Sequence, residues 1–331
     1  MHKAKKSLGQ NFLKSENILR KIVEAGEVGK KDIILEIGPG KGTLTEKLLE
    51  KAGAVIAIEK DNGLFKFLQE KFAEEIKEEK LILINDDILK FNIGGAVLAF
   101  SSADDAQQAG REKEQELRSE DSVGYGSSNF FSLRTAKPNS SLEKIEEDFA
   151  NEAVLSFPNG DVAQQDILRK RARLRSYKII ANIPYNITGL ILKKFLTTEN
   201  QPESMVLMVQ HEVAQRIIAN DKKESILSIS VKAYGKPKMI MKVDKRYFSP
   251  APKVNSAIIK IRDINRKIFT ENGINEEKFW EIVKKGFAHK RKKLSGNLKN
   301  IISSKKLFQM ELKNKRAEDL SLEDWILLAK N

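Results

Sequence analysis

From Asp32 onward the chain alternates short apolar runs with stretches whose apolar residues recur three or four positions apart. "IILEIG" predicts a buried strand, "TLTEKLLEKA" a helix, "AVIAIE" a second strand, "LFKFLQEKFAEEI" a second helix and "KLILIN" a third strand. The series resumes with "YKIIAN" as a strand, then "SMVLMVQ" and "HEVAQRII" as a strand and a helix. "AIIKI", Ala257 to Ile261, is expected to form an edge strand. Strands that alternate with helices make a parallel sheet with crossover helices on its faces, so the expected fold class is α/β.

Between about Gly94 and Arg175 this rhythm stops. Nine serines fall between Ser101 and Ser141, beside "DDAQQ", "REKEQELRSED" and "GYGSSN", and few apolar residues recur at regular spacing. Such composition favours a flexible, low-complexity insertion, with one short helix expected at "SLEKIEEDFANE". After Asp263 the sequence turns helical and lysine-rich, from "EEKFWEIVKKGFAHKRKKLSGNLKNII" to "SLEDWILLAK". The expected organisation is a first domain over 1–264, interrupted by the insertion at about 94–175, and a small all-helical basic domain over 265–331.

A chain of 331 residues, 40% of them hydrophobic, can bury a sizeable core. No run reaches the roughly 18 apolar residues of a spanning helix. The N-terminal "MHKAKKSLGQNFL" is basic without an apolar segment behind it, so a cytoplasmic location is expected. Cysteine is absent, which excludes a disulfide framework, a thiolate metal site and a cysteine nucleophile. Three scattered histidines offer no clustered ligand set, so no metal is expected. The net charge is +13, yet residues 94–165 hold 13 acidic and 6 basic side chains, a net of −7, which leaves +20 on the rest. That distribution points to a polyanionic partner, because Lys and Arg that neutralise phosphates release condensed counterions.

"LEIGPGKGTLTEKL" sets Gly38, Gly40 and Gly42 between a strand and a helix, where missing side chains permit a tight turn and close approach of a ligand. About 20 residues on, "AVIAIEKD" ends a strand on Glu59, the position of an acid that accepts hydrogen bonds from a ribose. Together these describe a nucleoside-cofactor site. They do not separate a nicotinamide cofactor from S-adenosylmethionine.

"YKIIANIPYNITG", Tyr177 to Gly189, narrows the choice. An exocyclic adenine amine is a poor nucleophile because its lone pair is delocalised into the ring. Two acceptors directed at its hydrogens, the Asn182 side-chain oxygen and the Ile183 carbonyl, would favour a more tetrahedral nitrogen able to attack a methyl sulfonium. Pro184 fixes the backbone and holds Ile183 extended, while Tyr185 offers a flat face for a base.

"EIGPGKG", Glu59 and "NIPYNI" resemble the ribosomal RNA adenine dimethyltransferases, which convert two adjacent adenosines of the small-subunit RNA to N6,N6-dimethyladenosine. "KKSLGQNFL", "FSPAPKVNSAIIKI" and "FAHKRKKLSGNL" are similar to further motifs of that family, in the same order. The resemblance implies a Rossmann-like, class I S-adenosylmethionine-dependent methyltransferase domain followed by a helical RNA-docking domain. It also implies S-adenosylmethionine as cofactor, small-subunit RNA as partner within a pre-assembled subunit, and a monomer. Asn11, Leu13, Gly38, Glu59, Asp87 and Asn182 would bind the cofactor. Asn182, Pro184 and Tyr185 would act on the target base, with Phe248 stacking opposite Tyr185. Lys290, Arg291, Lys292 and Lys293, on a basic helix, would meet RNA phosphates.

Three departures qualify the likeness: Asn255 where an aspartate is usual, a loosened basic motif at "KRKKLSGNL", and the insertion. The branch that methylates a large-subunit adenine shares the core motifs, and an assembly factor without catalysis could share the fold. The acid for the cofactor adenine is also doubled, as "NDDILKF" around Asp87 and "QQDILRK" around Asp166. Asp166 lies 16 residues before Asn182 and Asp87 lies 95 before it. Asp87 is favoured because it follows a clean apolar strand, whereas the approach to Asp166 is broken by Pro158 and Gly160.

Overall fold

The computed structural model describes residue 5 and residues 9–91, 176–219, 221–289 and 291–330. The insertion, the helix expected at "SLEKIEEDFANE" and Asp166 lie outside the described residues. Met1–Phe91 and Ser176–Asn331 belong to one compact unit.

Within that unit the strands are β1 (Phe12–Leu13), β2 (Ile33–Ile37), β3 (Ala54–Glu59), β4 (Leu81–Asn85), β5 (Tyr177–Asn182), β6 (Ser204–Gln210), β7 (Lys236–Val243), β8 (Phe248–Ser249) and β9 (Ser256–Arg262). Seven of them form one sheet in the order β4-β3-β2-β5-β6-β9-β7. The first five run parallel, while β9 is antiparallel to both β6 and β7. Every residue of β2 and β3 is buried, as expected for parallel strands covered on both faces.

The helices of the crossover layers are α1 (Glu16–Ala25), α2 (Thr43–Leu49), α3 (Asn62–Lys71), α4 (Ala73–Lys77), α5 (Thr188–Thr197), α6 (His211–Ile218) and α7 (Ile226–Lys232). α1 shows how they pack: Ile18, Leu19, Ile22 and Val23 share one face and are all buried, while its charged residues point outward. The single helix expected over "LFKFLQEKFAEEI" is instead two. Phe72, at φ −114° and ψ 31°, breaks it, and its buried ring packs against the sheet layer.

The expectation of an edge strand at "AIIKI" is corrected. β9 lies inside the sheet, and β7 covers its outer side. "KPKMIMKV" hides its strand character, because lysines alternate with half-buried Pro237, Met239 and Met241 and no apolar run forms. Pro237 fits there because an edge strand has one side that needs no N–H donor.

The C-terminal helices are α8 (Lys267–Asn272), α9 (Glu276–Gly286), α10 (Leu294–Asn297), α11 (Ser304–Gln309) and α12 (Leu322–Ala329). α9 and α12 cross closely at Gly286, where a Cβ would lie 2.3 Å from the Trp325 ring. Trp325 is fully buried and stacks on Phe287 with centroids 5.4 Å apart. The continuous basic helix expected at "FAHKRKKLSGNL" is not formed: α9 ends at Gly286 and α10 is a single turn beginning at Leu294.

Candidate active site

β2 has β3 on one side and β5 on the other, so the chain leaves these strands toward opposite sides of the sheet and opens a crevice at their C-terminal ends. A cavity of about 200 Å3 occupies that crevice. Its walls are the turn after β2, the ends of β3 and β4, the segment Asn182–Ile187, and Gly9–Leu13 from the N-terminal segment.

The turn after β2 depends on glycine for two distinct reasons. Gly38, Gly40 and Gly42 have φ of 66°, 62° and 74°, the left-handed region that other residues rarely adopt. Around Gly38 a Cβ would meet nothing within 4 Å, so that backbone faces open space. At Gly42 a Cβ would come within 2.5 Å of the Phe72 ring, so there the missing side chain admits the core.

Glu59, at the end of β3, is 5% exposed. Its carboxylate accepts from the Gly40 N–H at 3.0 Å and the Asp61 N–H at 2.8 Å, which ties the glycine turn to the acid. Burial raises its pKa above the ordinary value, and those N–H groups oppose the rise. Glu36, inside β2, is 1% exposed and also lines the cavity. Its Oε2 has no hydrogen-bond partner among the described residues. Burial, reinforced by the charge of Glu59, pushes its pKa up to about 8.

Asp87 follows β4, whose terminal Asn85 is in register with Glu59. Its carboxylate meets Lys60 Nζ at 2.7 Å and accepts from the Leu89 N–H at 3.0 Å. Partial burial raises its pKa, but Lys60 and the Leu89 N–H outweigh that, and the net shift is downward. Asp87 is therefore a fixed carboxylate at the rim of the cavity.

The N-terminal segment closes one wall. Leu13 pairs with Phe248 and Phe12 with Ser249 in the β1–β8 ladder. Gln10 Nε2 donates to Asp61 Oδ2 at 3.2 Å, and Lys5 Nζ sits 2.9 Å from the same oxygen. Burial pushes the Asp61 carboxyl up, yet Lys5 and the N–H groups of Leu64 and Gly63 bring it down to about 2. Asn182 Nδ2 donates to the Asn11 carbonyl at 3.2 Å. Beyond Asn182, the Pro184 carbonyl accepts from Ile187 N–H at 3.2 Å, and the Tyr185 hydroxyl lies 2.6 Å from Ser256 Oγ.

A model of the ribosomal RNA adenine dimethylase family matches residues 1–331 of this chain. The chain belongs to that family. It is 32% identical over 330 residues to ribosomal RNA small subunit methyltransferase A of Dehalococcoides mccartyi strain CBDB1, covering 98% of this chain and 86% of the relative. Identity is also 32% over 332 residues with the protein of the same name from Francisella tularensis strain FSC 198, covering 99% and 97%. Among solved structures, a dimethyladenosine transferase from Plasmodium falciparum aligns with a TM-score of 0.62 at 22% identity over 96% of both chains. The 23S rRNA methyltransferase ErmE aligns with a TM-score of 0.60 at 19% identity, over 97% of this chain and 98% of its own. Membership makes the chain an S-adenosylmethionine-dependent methyltransferase that acts on ribosomal RNA adenine, and the two structures share its fold.

Asn11, Leu13, Gly38, Glu59, Asp87, Asn182, Pro184 and Tyr185, drawn from five separate stretches of sequence, line the one cavity. Phe248 does not. It is 2% exposed and belongs to the core cluster that also holds Leu13, Leu19, Val243 and Ile258. In this structure the ring lies in the core rather than on the cavity wall that holds Tyr185. Arg291, Lys292 and Lys293 are exposed but lie in the turn between α9 and α10, and Lys290 is outside the described residues. Glu36 escaped the sequence reading, although a carboxylate inside a continuously apolar strand is itself a signal.

A second cavity is larger, about 1130 Å3, between α5, α6, α7 and α9. It contains none of these motif residues, and acids such as Glu212, Glu224 and Glu277 offset its basic residues. The smaller cavity, where the motifs meet, is the candidate active site.

Among the described residues no group of three or more His, Asp or Glu is placed to hold a metal. The cavity does fit S-adenosylmethionine. It has an open cradle at Gly38, a buried acid beside it in Glu59, and, on the Glu36 carboxyl, an oxygen with no partner among the described residues that can accept from an ammonium.

Proposed function

We propose that this chain dimethylates the N6 amines of two adjacent adenosines in small-subunit ribosomal RNA during ribosome biogenesis. It does so as a cytoplasmic monomer working on a pre-assembled subunit. The observation that carries the reading is the convergence of Asn182–Tyr185 with Gly38, Glu59 and Asp87 in one cavity.

In this reading Glu59 holds the ribose of S-adenosylmethionine, Asp87 its adenine amine, and Glu36 its amino acid ammonium. Asn11 and Leu13 close the remaining wall. When bound, S-adenosylmethionine supplies an electrophilic methyl group on a positively charged sulfur. The chain's own work lies on the nucleophile. With its amide nitrogen committed to Asn11, Asn182 presents Oδ1 as the acceptor for one N6 hydrogen. Ile187 already occupies the Pro184 carbonyl, so the Ile183 carbonyl is the main-chain acceptor for the other. The adenine lone pair would take the methyl group as its bond to sulfur breaks, the sulfur would keep that electron pair as a neutral thioether, and the N6 proton would leave to solvent. Tyr185 supplies the stacking face, held by Ser256. A second passage, with one N6 hydrogen left for these acceptors, would add the second methyl.

The exposed basic turn at Arg291–Lys293, with Lys290, then serves affinity for RNA within the helical segment 265–331. Primer extension on RNA from treated subunits tests the assignment. Stops at two adjacent adenosines of the small-subunit RNA are expected, and a stop in large-subunit RNA alone would overturn it.

A further inference from the structure

Among the described residues β7 is the outermost strand of the sheet, hydrogen-bonded to β9 alone. Its exposed positions are Lys236, Lys238, Ile240 and Lys242, and its half-buried positions are Pro237, Met239 and Met241. Met241 packs against the core cluster, which fixes which residues turn to water. Ile240 is the extra residue at the register shift between Met239 and Met241, and it and Lys242 are both exposed. The basic run continues past the strand through exposed Lys245 and Arg246, with Asp244 as the one acid between Lys236 and Tyr247. Arg262, opposite Lys236 on β9, is exposed as well.

Few of these charges are spent inside the protein. Lys236 meets Asp263 at 3.0 Å, whereas the ion pairs of the described residues include neither Lys238 nor Lys242. Outward residues on a strand recur about every 7 Å, so the stripe from Lys236 to Lys242 extends about 20 Å.

Its direction matters. β6 ends at the active-site side of the sheet, and Gln210 at that end is in register with Ser256 at the start of β9. Ser256 is in turn in register with Val243 at the end of β7. The same Ser256 touches the Tyr185 hydroxyl. The lysine stripe therefore climbs toward the level of Tyr185 and continues into Lys245 and Arg246.

We propose that this basic edge strand is an RNA-docking surface. It carries the phosphate backbone of the strand whose adenine enters the cavity, by sequence-independent contacts. Ammonium groups on flexible stems suit backbone phosphates, and an extruded base needs its flanking backbone held. The competing role for lysines here is to guard an open sheet edge against pairing with another chain. The two roles differ in what they do to RNA binding.

The proposal rests on an RNA substrate, but it is read from binding alone, so failure of the primer-extension test would leave it standing. The test uses the full chain with Lys238→Ala and Lys242→Ala combined. Fluorescence anisotropy follows binding to unmethylated small-subunit RNA across a salt series. The slope of log affinity against log salt should fall by about 1.4 to 1.8, the release expected for two phosphate contacts. Lys238→Arg with Lys242→Arg should restore it. Cofactor titration of the alanine variant should match the parent, which shows that the fold is intact. An unchanged slope overturns the proposal, and self-association of the alanine variant alongside that unchanged slope would assign the lysines to edge protection.

Discussion

The side-chain nitrogen of Asn182 donates to the main-chain oxygen of Asn11 at 3.2 Å, across 171 residues of sequence. This bond sets the amide's orientation, with nitrogen toward the N-terminal segment and Oδ1 left to accept. It also joins a segment that lines the cofactor cavity to the residue that acts on the base. Asn182→Ala should therefore abolish methyl transfer while cofactor affinity stays within a few fold. Single-turnover assays beside calorimetric titration check this. Near-normal turnover by the variant would mean that the amine is activated by something else.

Asp87 is held by Lys60 and by the Leu89 N–H in a charged form at the cavity rim. Asp87→Ala should weaken S-adenosylmethionine binding at least roughly tenfold, about 1.4 kcal/mol, as expected for loss of a charged acceptor. Asp166→Ala should change the affinity little. Titration of both variants decides between the two acids, and weak binding by the Asp166 variant alone would reverse the assignment.

Glu36 carries the clearest pH signature. Its pKa is raised in the folded chain to about 8 from 4.5. Between these values the folded protein keeps a proton that the unfolded chain releases. The stability that Glu36 contributes is therefore present at low pH and lost as pH rises from about 4.5 toward 8, with a slope of at most about 1.4 kcal/mol per pH unit. Glu36→Gln removes this titration. Thermal melts of the cofactor-free proteins should show the variant gaining on the parent as pH rises across that window. A difference that does not vary with pH would return Glu36 to an ordinary carboxyl.

Replacing Lys290, Arg291, Lys292 and Lys293 with alanine should weaken RNA binding and flatten its salt dependence without altering cofactor affinity. Arg291–Lys293 lie in an exposed turn, so the fold should be unaffected. An unchanged salt slope would leave them as solvated surface charges.

The parallel half of the sheet was legible because burial on both faces writes itself as uninterrupted apolar sequence, as in Ile33–Ile37 and Ala54–Glu59. The cofactor motifs were legible for a related reason: left-handed turns require glycine, and Gly38, Gly40 and Gly42 adopt them. β7 was hidden because half-burial against one neighbour produced a lysine–methionine alternation with no apolar run. The place of Phe248 was not legible, because an aromatic in a motif reads the same whether it faces a ligand or the core. Its position beside Leu13, 235 residues away, comes from strand pairing that no local motif encodes. The basic motif near Lys290 has helical composition, yet the backbone turns after Gly286, a long-range packing outcome that periodicity does not encode.

Dimethylation itself is most directly tested by incubating the full-length protein and S-adenosylmethionine with small subunits that lack the modification, then digesting the RNA and quantifying modified nucleosides by mass spectrometry. N6,N6-dimethyladenosine should accumulate, two residues per subunit at completion, and should be absent with Asn182→Ala. Absence of any N6-methylated adenosine from that RNA would contradict the assignment.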